Sequence, residues 1–144
     1  MRVDLQGKVA LVTGGANGIG RAIVQALADN GAQVVVVDIE AQTAQDAANE
    51  VVAGGGACVA IAGDVSDRAA MEGVVAEVMR RFGHLDILVN NAGINTKRDR
   101  VPIHQYAPED WDAILRVDLT GVFITSRAAI PAILQSGGGR IVNI

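Results

Sequence analysis

Thr13-Gly14-Gly15-Ala16-Asn17-Gly18-Ile19-Gly20 is the stretch on which the reading of this chain turns. It follows an apolar run, Val9-Ala10-Leu11-Val12, and opens a segment whose apolar residues Ile19, Ile23, Ala26 and Leu27 have helical spacing. A strand that ends in a glycine-rich turn and feeds straight into a helix is suited to one task. Gly14 and Gly18 let the main chain turn tightly, with no side chain between it and a ligand. Gly20 lets the helix lie close on the strand before it. The unpaired N–H groups of the first helical turn, helped by the helix dipole, then face outward to receive an anion, and a pyrophosphate fits best. The glycines alone are weak evidence, since such a cluster often marks only a turn. A P-loop is excluded, because Arg21 follows Gly20 where Lys and Ser or Thr would be needed.

Outward from this stretch, strand and helix signals alternate. Val9 to Val12 is the first strand, and a helix follows from about Gly18 to Asn30, stopped by Gly31. Val34-Val35-Val36-Val37 is a second strand ending at Asp38. Ala41 to Ala53 is an Ala-rich helix ended by Gly54-Gly55-Gly56, and Ala57 to Ala62 is a third strand ending in Gly63-Asp64. Met71, Val74, Val75, Val78, Met79 and Phe82 mark an amphipathic helix closed by Gly83. Leu85 to Val89 is the fourth strand. After Asn90-Asn91-Ala92-Gly93, an irregular stretch runs from Ile94 to Ala107. Pro108 suits the first position of a helix whose apolar face holds Trp111, Ile114, Leu115, Leu119, Val122 and Phe123. Gly137-Gly138-Gly139 breaks it, and Arg140 to Ile144 begins a fifth strand. Repeated β–α units imply an α/β fold with a doubly wound parallel sheet, Rossmann-like, with the sequence truncated after the fifth strand. The expected domain is 1–144, a dinucleotide-binding unit whose C-terminal catalytic part is absent.

Composition agrees. The 144 residues suffice for one domain, and half are hydrophobic while only 3% are aromatic. A core of Val, Ile, Leu and Ala suits a parallel sheet buried on both faces. A net charge of −4 disfavours nucleic acid as a partner. The basic run Lys97-Arg98-Asp99-Arg100 reads as a solvated loop. Cys58, the one cysteine, reads as a small core residue, and no metal-ligand cluster is apparent. The first residues lack a signal-peptide core, and no apolar run looks long enough to span a membrane. The expectation is a cytoplasmic protein with neither membrane nor nucleic acid as a partner.

Two carboxylates support the glycine turn. Asp38 stands at the end of the second strand, about 20 residues past the glycines, where it can accept from both hydroxyls of an adenosine ribose. The same charge would repel a 2′-phosphate. Ile39 follows it and Gly15 occupies the turn, so no cation is adjacent and NAD is favoured over NADP. Asp64-Val65, at the end of the third strand, can meet adenine: Asp64 accepts from the amino group and Val65 covers the ring. A plainer role for this segment is the N-terminus of the next helix, capped by Ser66 or Asp67.

Taken together, the Thr-Gly-x-x-x-Gly-x-Gly pattern at 13–20, Asp64-Val65, Asn-Asn-Ala-Gly at 90–93 and the closing Gly-Arg-Ile-Val-Asn-Ile resemble the short-chain dehydrogenase/reductase family. The resemblance implies that Gly14, Gly18, Ile19 and Gly20 line a pyrophosphate, with Asn17 in the same cofactor site, Asp38 at the ribose and Asp64 and Val65 at the adenine. It implies that Asn91, Ala92 and Gly93 border the cofactor and that Asn90 stabilises the sheet. It also implies an NAD-dependent oxidoreductase that moves a hydride between nicotinamide and an alcohol or ketone, and a homo-oligomer when complete.

Two departures stand out. The family's usual Asn in the long helix is here Asp118, seven residues after Trp111 on an otherwise apolar face. Second, the family's catalytic Ser and its Tyr-x-x-x-Lys follow the fifth strand, and the sequence ends at Ile144 before them. In the family, Tyr is the general acid/base, Lys lowers its pKa and Ser orients the substrate oxygen. Tyr106, Lys97 and Ser136 lack the required spacing, so no catalytic residue is assigned. The alternatives are a non-catalytic NAD-binding module and, more weakly, a methyltransferase, against which Asn-Asn-Ala-Gly argues. The sequence does not choose a substrate.

Overall fold

The computed structural model of the chain describes residues 3–95 and 101–144. The alternation read from the sequence is realised as β1 (Val9–Thr13), α1 (Gly18–Asp29), β2 (Gln33–Asp38), α2 (Ala41–Ala53), β3 (Ala57–Ala62), α3 (Arg68–Phe82) and β4 (Ile87–Asn90). A 3₁₀ turn (Ile103–Gln105), α4 (Pro108–Ile114), a π-helical stretch (Leu115–Thr120), α5 (Gly121–Gln135) and β5 (Arg140–Asn143) complete it. The strands form one five-stranded sheet in the order β3-β2-β1-β4-β5, every neighbouring pair parallel. This is the doubly wound, Rossmann-like α/β fold. The chain goes β1, β2, β3 in one direction and then returns to place β4 on the other side of β1. The crevice at that reversal, at the C-terminal ends of β1 and β4, is where such sheets bind ligands.

The two-residue period of the strands builds two cores from one set of Val and Leu. Val9, Leu11, Val35 and Val37 point to one face, where Met71, Val74 and Val78 of α3 and Ala129 and Ile133 of α5 meet them. Ala10, Val12, Val34 and Val36 point to the other, against Val24 and Ala28 of α1 and Ala44, Ala48 and Val51 of α2. Cys58 is buried in this second core, and burial pushes its thiol up to about 11, so it behaves as a small apolar side chain. Asp67 caps α3 by accepting from the Ala70 N–H at 3.1 Å, as the plainer reading of that segment expected.

Two boundaries differ from expectation. Leu85 is fully buried but lies before β4, because Asp86 turns its carboxylate onto the Val9 N–H and so leaves the ladder to begin at Ile87. The basic run 97–100 lies outside the described residues. The largest difference is the segment from Pro108. Its helical pattern is interrupted by the wide π turn, and Trp111, Leu119 and Phe123 are more than half exposed or at the half-way mark. The residues that α5 buries are instead Gly121, Thr125, Ala129, Ala132 and Ile133, the side facing α3 and β4. The stretch Pro108–Gln135 also corrects the reading that no apolar run could span a membrane. It is 28 residues long and holds an 18-residue window of mean hydropathy 1.4, long and apolar enough by length and composition alone. It escaped notice because Asp118 and Arg127 break the run of apolar letters, while the helical path continues through them.

Candidate functional site

The site is assembled at the end of β1. Thr13 carries the strand's last side chain, and its Oγ1 accepts from the N–H groups of Asn91 and Ala92, each at 3.1 Å. Asn91 replies with its Nδ2, which donates to the carbonyls of Thr13 and Gly14 at 3.1 and 3.0 Å. The two loops that follow β1 and β4 are thereby locked together. Gly14 has φ +62°, and a Cβ there would lie 2.7 Å from Ala92 Cα, so a side chain is barred both by conformation and by space. A Cβ on Gly20 would lie 2.1 Å from the Gly14 carbonyl oxygen and 2.4 Å from Asn91 Nδ2. Gly20 thus lets α1 approach the turn itself, rather than only the strand.

Asn17 is the N-cap of α1, yet its side chain makes no capping bond. The first-turn N–H groups of α1 therefore keep their donors for an outside acceptor, backed by the positive end of the helix dipole. Gly18 begins the helix at φ +52°. Asp38 reaches across from β2: its Oδ2 accepts from Ala16 N–H at 3.3 Å and its Oδ1 from Glu40 N–H at 3.2 Å. A carboxylate offers about four acceptor sites, so capacity remains for two hydroxyls. Asp64 folds back on its own turn, taking the Ser66 N–H and Oγ–H on Oδ1, both at 2.8 Å.

These residues converge on one cleft of about 450 Å³. Of the residues expected from sequence, Gly14, Asn17, Ile19, Gly20, Asp38, Asp64, Val65, Asn91, Ala92 and Gly93 line it; Gly18 does not. Val37, Ile39, Gly63, Ile94 and Val117 line it as well. Sequence reasoning missed these, although Val37, Ile39 and Gly63 are chain neighbours of Asp38 and Asp64. It also gave no role to Thr13, whose signal is a hydroxyl closing an otherwise apolar strand. Asp38 and Asp64 are the charged residues of the described lining, both acidic.

Outside the cleft, the remaining polar residues sort into structural roles. Asn90, 3% exposed, donates to Ser126 Oγ at 3.0 Å and to Asn143 Oδ1 at 2.8 Å, tying β4 to α5 and β5. Ser136 donates to the Ala132 carbonyl and accepts the Leu85 N–H, which fixes the end of α5. Tyr106 follows the 3₁₀ turn, away from the cleft lining. Lys97 lies outside the described residues. Asp118 is exposed, but its Oδ1 accepts the Ile94 N–H at 2.9 Å.

The family model for short chain dehydrogenase matches residues 8–144. The chain belongs to the short-chain dehydrogenase family. It is 41% identical to a D-threitol dehydrogenase of Mycolicibacterium smegmatis, an alignment covering 97% of this chain and 53% of that protein. It is 40% identical to a sorbitol dehydrogenase of Cereibacter sphaeroides, over 100% of this chain and 54% of that one. A 3-oxoacyl-[acyl-carrier-protein] reductase of Synechocystis is 39% identical, with 97% and 56% covered. The short-chain dehydrogenase chain described here thus spans about half the length of the curated relatives it matches. Among solved structures, a metagenomic short-chain oxidoreductase in complex with NADP superposes with a TM-score of 0.87 at 36% identity, covering 96% of this chain and 62% of that one.

Proposed function

We propose that this short-chain dehydrogenase is the cofactor-binding portion of an NAD(H)-dependent oxidoreductase acting on an alcohol or ketone. The observation that carries the reading is the pairing of an uncapped α1 N-terminus with Asp38 across one cleft. When bound, the nicotinamide supplies or accepts the hydride. The chain's own work is to bind and orient. The α1 amides receive the pyrophosphate, the Asp38 carboxylate takes the adenosine ribose hydroxyls, and Asp64 with Val65 borders the adenine. Asn91, Ala92 and Gly93, pinned by Thr13, form the wall on the β4 side.

Preference for NAD over NADP rests on charge. The similar metagenomic oxidoreductase holds NADP. In this chain a carboxylate stands where a 2′-phosphate would come, and no cation lines the cleft among the described residues. Binding to the complete protein should favour NAD(H) over NADP(H) by at least tenfold, about 1.4 kcal/mol. Asp38→Ala should narrow the gap by removing both the ribose acceptor and the repulsion. Equal affinities in the unmodified protein would refute the assignment. The outward stripe Leu119, Phe123, Ile130 and Leu134, each at least 41% exposed, supports a homo-oligomeric assembly.

A further inference from the structure

Asp118 stands where the family resemblance leads one to expect Asn, and its position gives it a task. It lies inside the π stretch Leu115–Thr120, whose wide turn is a local departure from α-helix of the sort often found at functional sites. Its Oδ1 holds the Ile94 N–H at 2.9 Å across 24 residues of sequence. Both carboxylate oxygens also lie at the open Cα of Gly93: a Cβ there would be 3.4 Å from Oδ1 and 3.5 Å from Oδ2. Gly93, Ile94 and the preceding residue, Val117, all line the cleft. The carboxylate therefore sits just behind the wall of one end of it.

Which end matters. Resting on the proposed function, the adenosine lies at Asp38 and Asp64, and the pyrophosphate crosses the α1 N-terminus. The second nucleotide then extends to Gly93, Ile94 and Val117. The lining residues at that end, Asn91, Ala92, Gly93, Ile94 and Val117, carry no charge, and the Asp118 carboxylate lies directly against two of them, Gly93 and Ile94. A nicotinamide ring is cationic when oxidised and neutral when reduced. An acidic group a few ångströms behind the wall attracts the first and is indifferent to the second. An amide in its place could accept the same Ile94 N–H but would supply no charge.

We propose that Asp118 tunes the cleft toward the oxidised form of the nicotinamide cofactor, while its hydrogen bond to Ile94 holds the wall against which the ring lies. The separation of the two roles gives the test. In the full-length protein, dissociation constants for NAD⁺ and NADH are measured by titration calorimetry for the unmodified protein, Asp118→Asn and Asp118→Ala, at low and high salt. Asp118→Asn keeps an acceptor for Ile94 and removes the charge. It should weaken NAD⁺ by about three- to tenfold at low salt, less at high salt, and leave NADH within about twofold. Asp118→Ala should weaken both forms, because the wall loses its anchor. An unchanged NAD⁺/NADH affinity ratio in Asp118→Asn, with binding intact, overturns the role of Asp118 alone. Binding of neither form to the unmodified protein overturns it together with the reading of the cleft. Retained NADH affinity in Asp118→Asn serves as the control for folding.

Discussion

The two edge strands of the sheet end in different company. On one side β3 is backed by α2, which packs on it and on β2, and Cys58 is buried while Val59, Ala60 and Ile61 are half-covered. On the other side β5 is exposed at every residue, including Ile141 and Val142, and Ile144 beyond it is 67% exposed. Both strands were equally legible as short apolar runs, and both pair in parallel with their inner neighbour. The contrast teaches that a strand forms from its own sequence and one partner, whereas its burial depends on what else is available to cover it. An apolar edge with free backbone groups is a surface prepared for further protein. The same holds for α5, whose inner side seals the core while Phe123 and Leu134 face outward.

The comparison breaks most visibly if the 144 residues are expressed alone. They contain the cleft but no Tyr-x-x-x-Lys, and loss of the general acid/base commonly costs on the order of 10²–10⁴ in rate. Loss of substrate positioning adds to that. No dehydrogenase turnover should be detectable with NAD and a broad panel of alcohols, and the exposed β5 edge and α5 stripe should drive self-association, visible by light scattering. A soluble monomer with robust turnover would show that catalysis uses residues assigned here to other roles, such as Asp118 or Tyr106.

A second test sets one leucine against another. Leu11 is fully buried at the centre of β1, and Leu134 is 68% exposed on α5. Leu11→Ala should cost about 2–5 kcal/mol in urea unfolding, through lost burial and the cavity left behind. Leu134→Ala should change stability by less than about 0.5 kcal/mol and reduce self-association instead. Equal losses would mean that the α5 stripe is covered by something within the chain itself.

Where the sequence spoke plainly, one short-range rule decided each element. Val34 to Val37 could hardly be other than a buried strand, and Gly83, at φ +78°, ends α3 where the apolar spacing ended. The cleft was legible for a similar reason: its residues cluster at strand ends, and strand ends share one edge of a parallel sheet. What escaped depends on contacts distant in sequence. Thr13 acquires its role only when β4 arrives beside β1, 78 residues later. The exposure of Trp111, Leu119 and Phe123 follows from which side of the helix α3 and β4 reach. The π turn at 115–120 has no counterpart in a pattern of apolar letters, so Asp118 could be placed on a helix but not against Gly93 and Ile94.

The smallest expected effect concerns the joint from which β5 hangs. Asp86 sits at the opposite end of the sheet from the cleft, and its backbone carbonyl takes the Arg140 N–H at 2.9 Å. Its carboxylate accepts Lys8 Nζ and Val9 N–H, each at 2.9 Å, with His84 Nε2 at 3.4 Å. Burial pushes this carboxyl up, but the Val9 amide, the Lys8 ammonium and His84 together hold it below its usual 3.8. A carboxylate with a lower pKa in the folded than in the unfolded chain adds stability that is fully present above the unfolded value, about pH 4. That stability is lost as pH falls through the folded-state pKa. Asp86→Asn keeps an acceptor for Val9 but drops the charge, and should cost on the order of 1 kcal/mol at pH 7. The gap between variant and unmodified protein should not shrink between pH 7 and about pH 5, and should close below about pH 4. NAD affinity should not change, because the substitution touches the far end of β1 and β4. Denaturation midpoints measured across this range decide the point: a gap that persists undiminished at low pH would show that Asp86 acts through shape and not through charge.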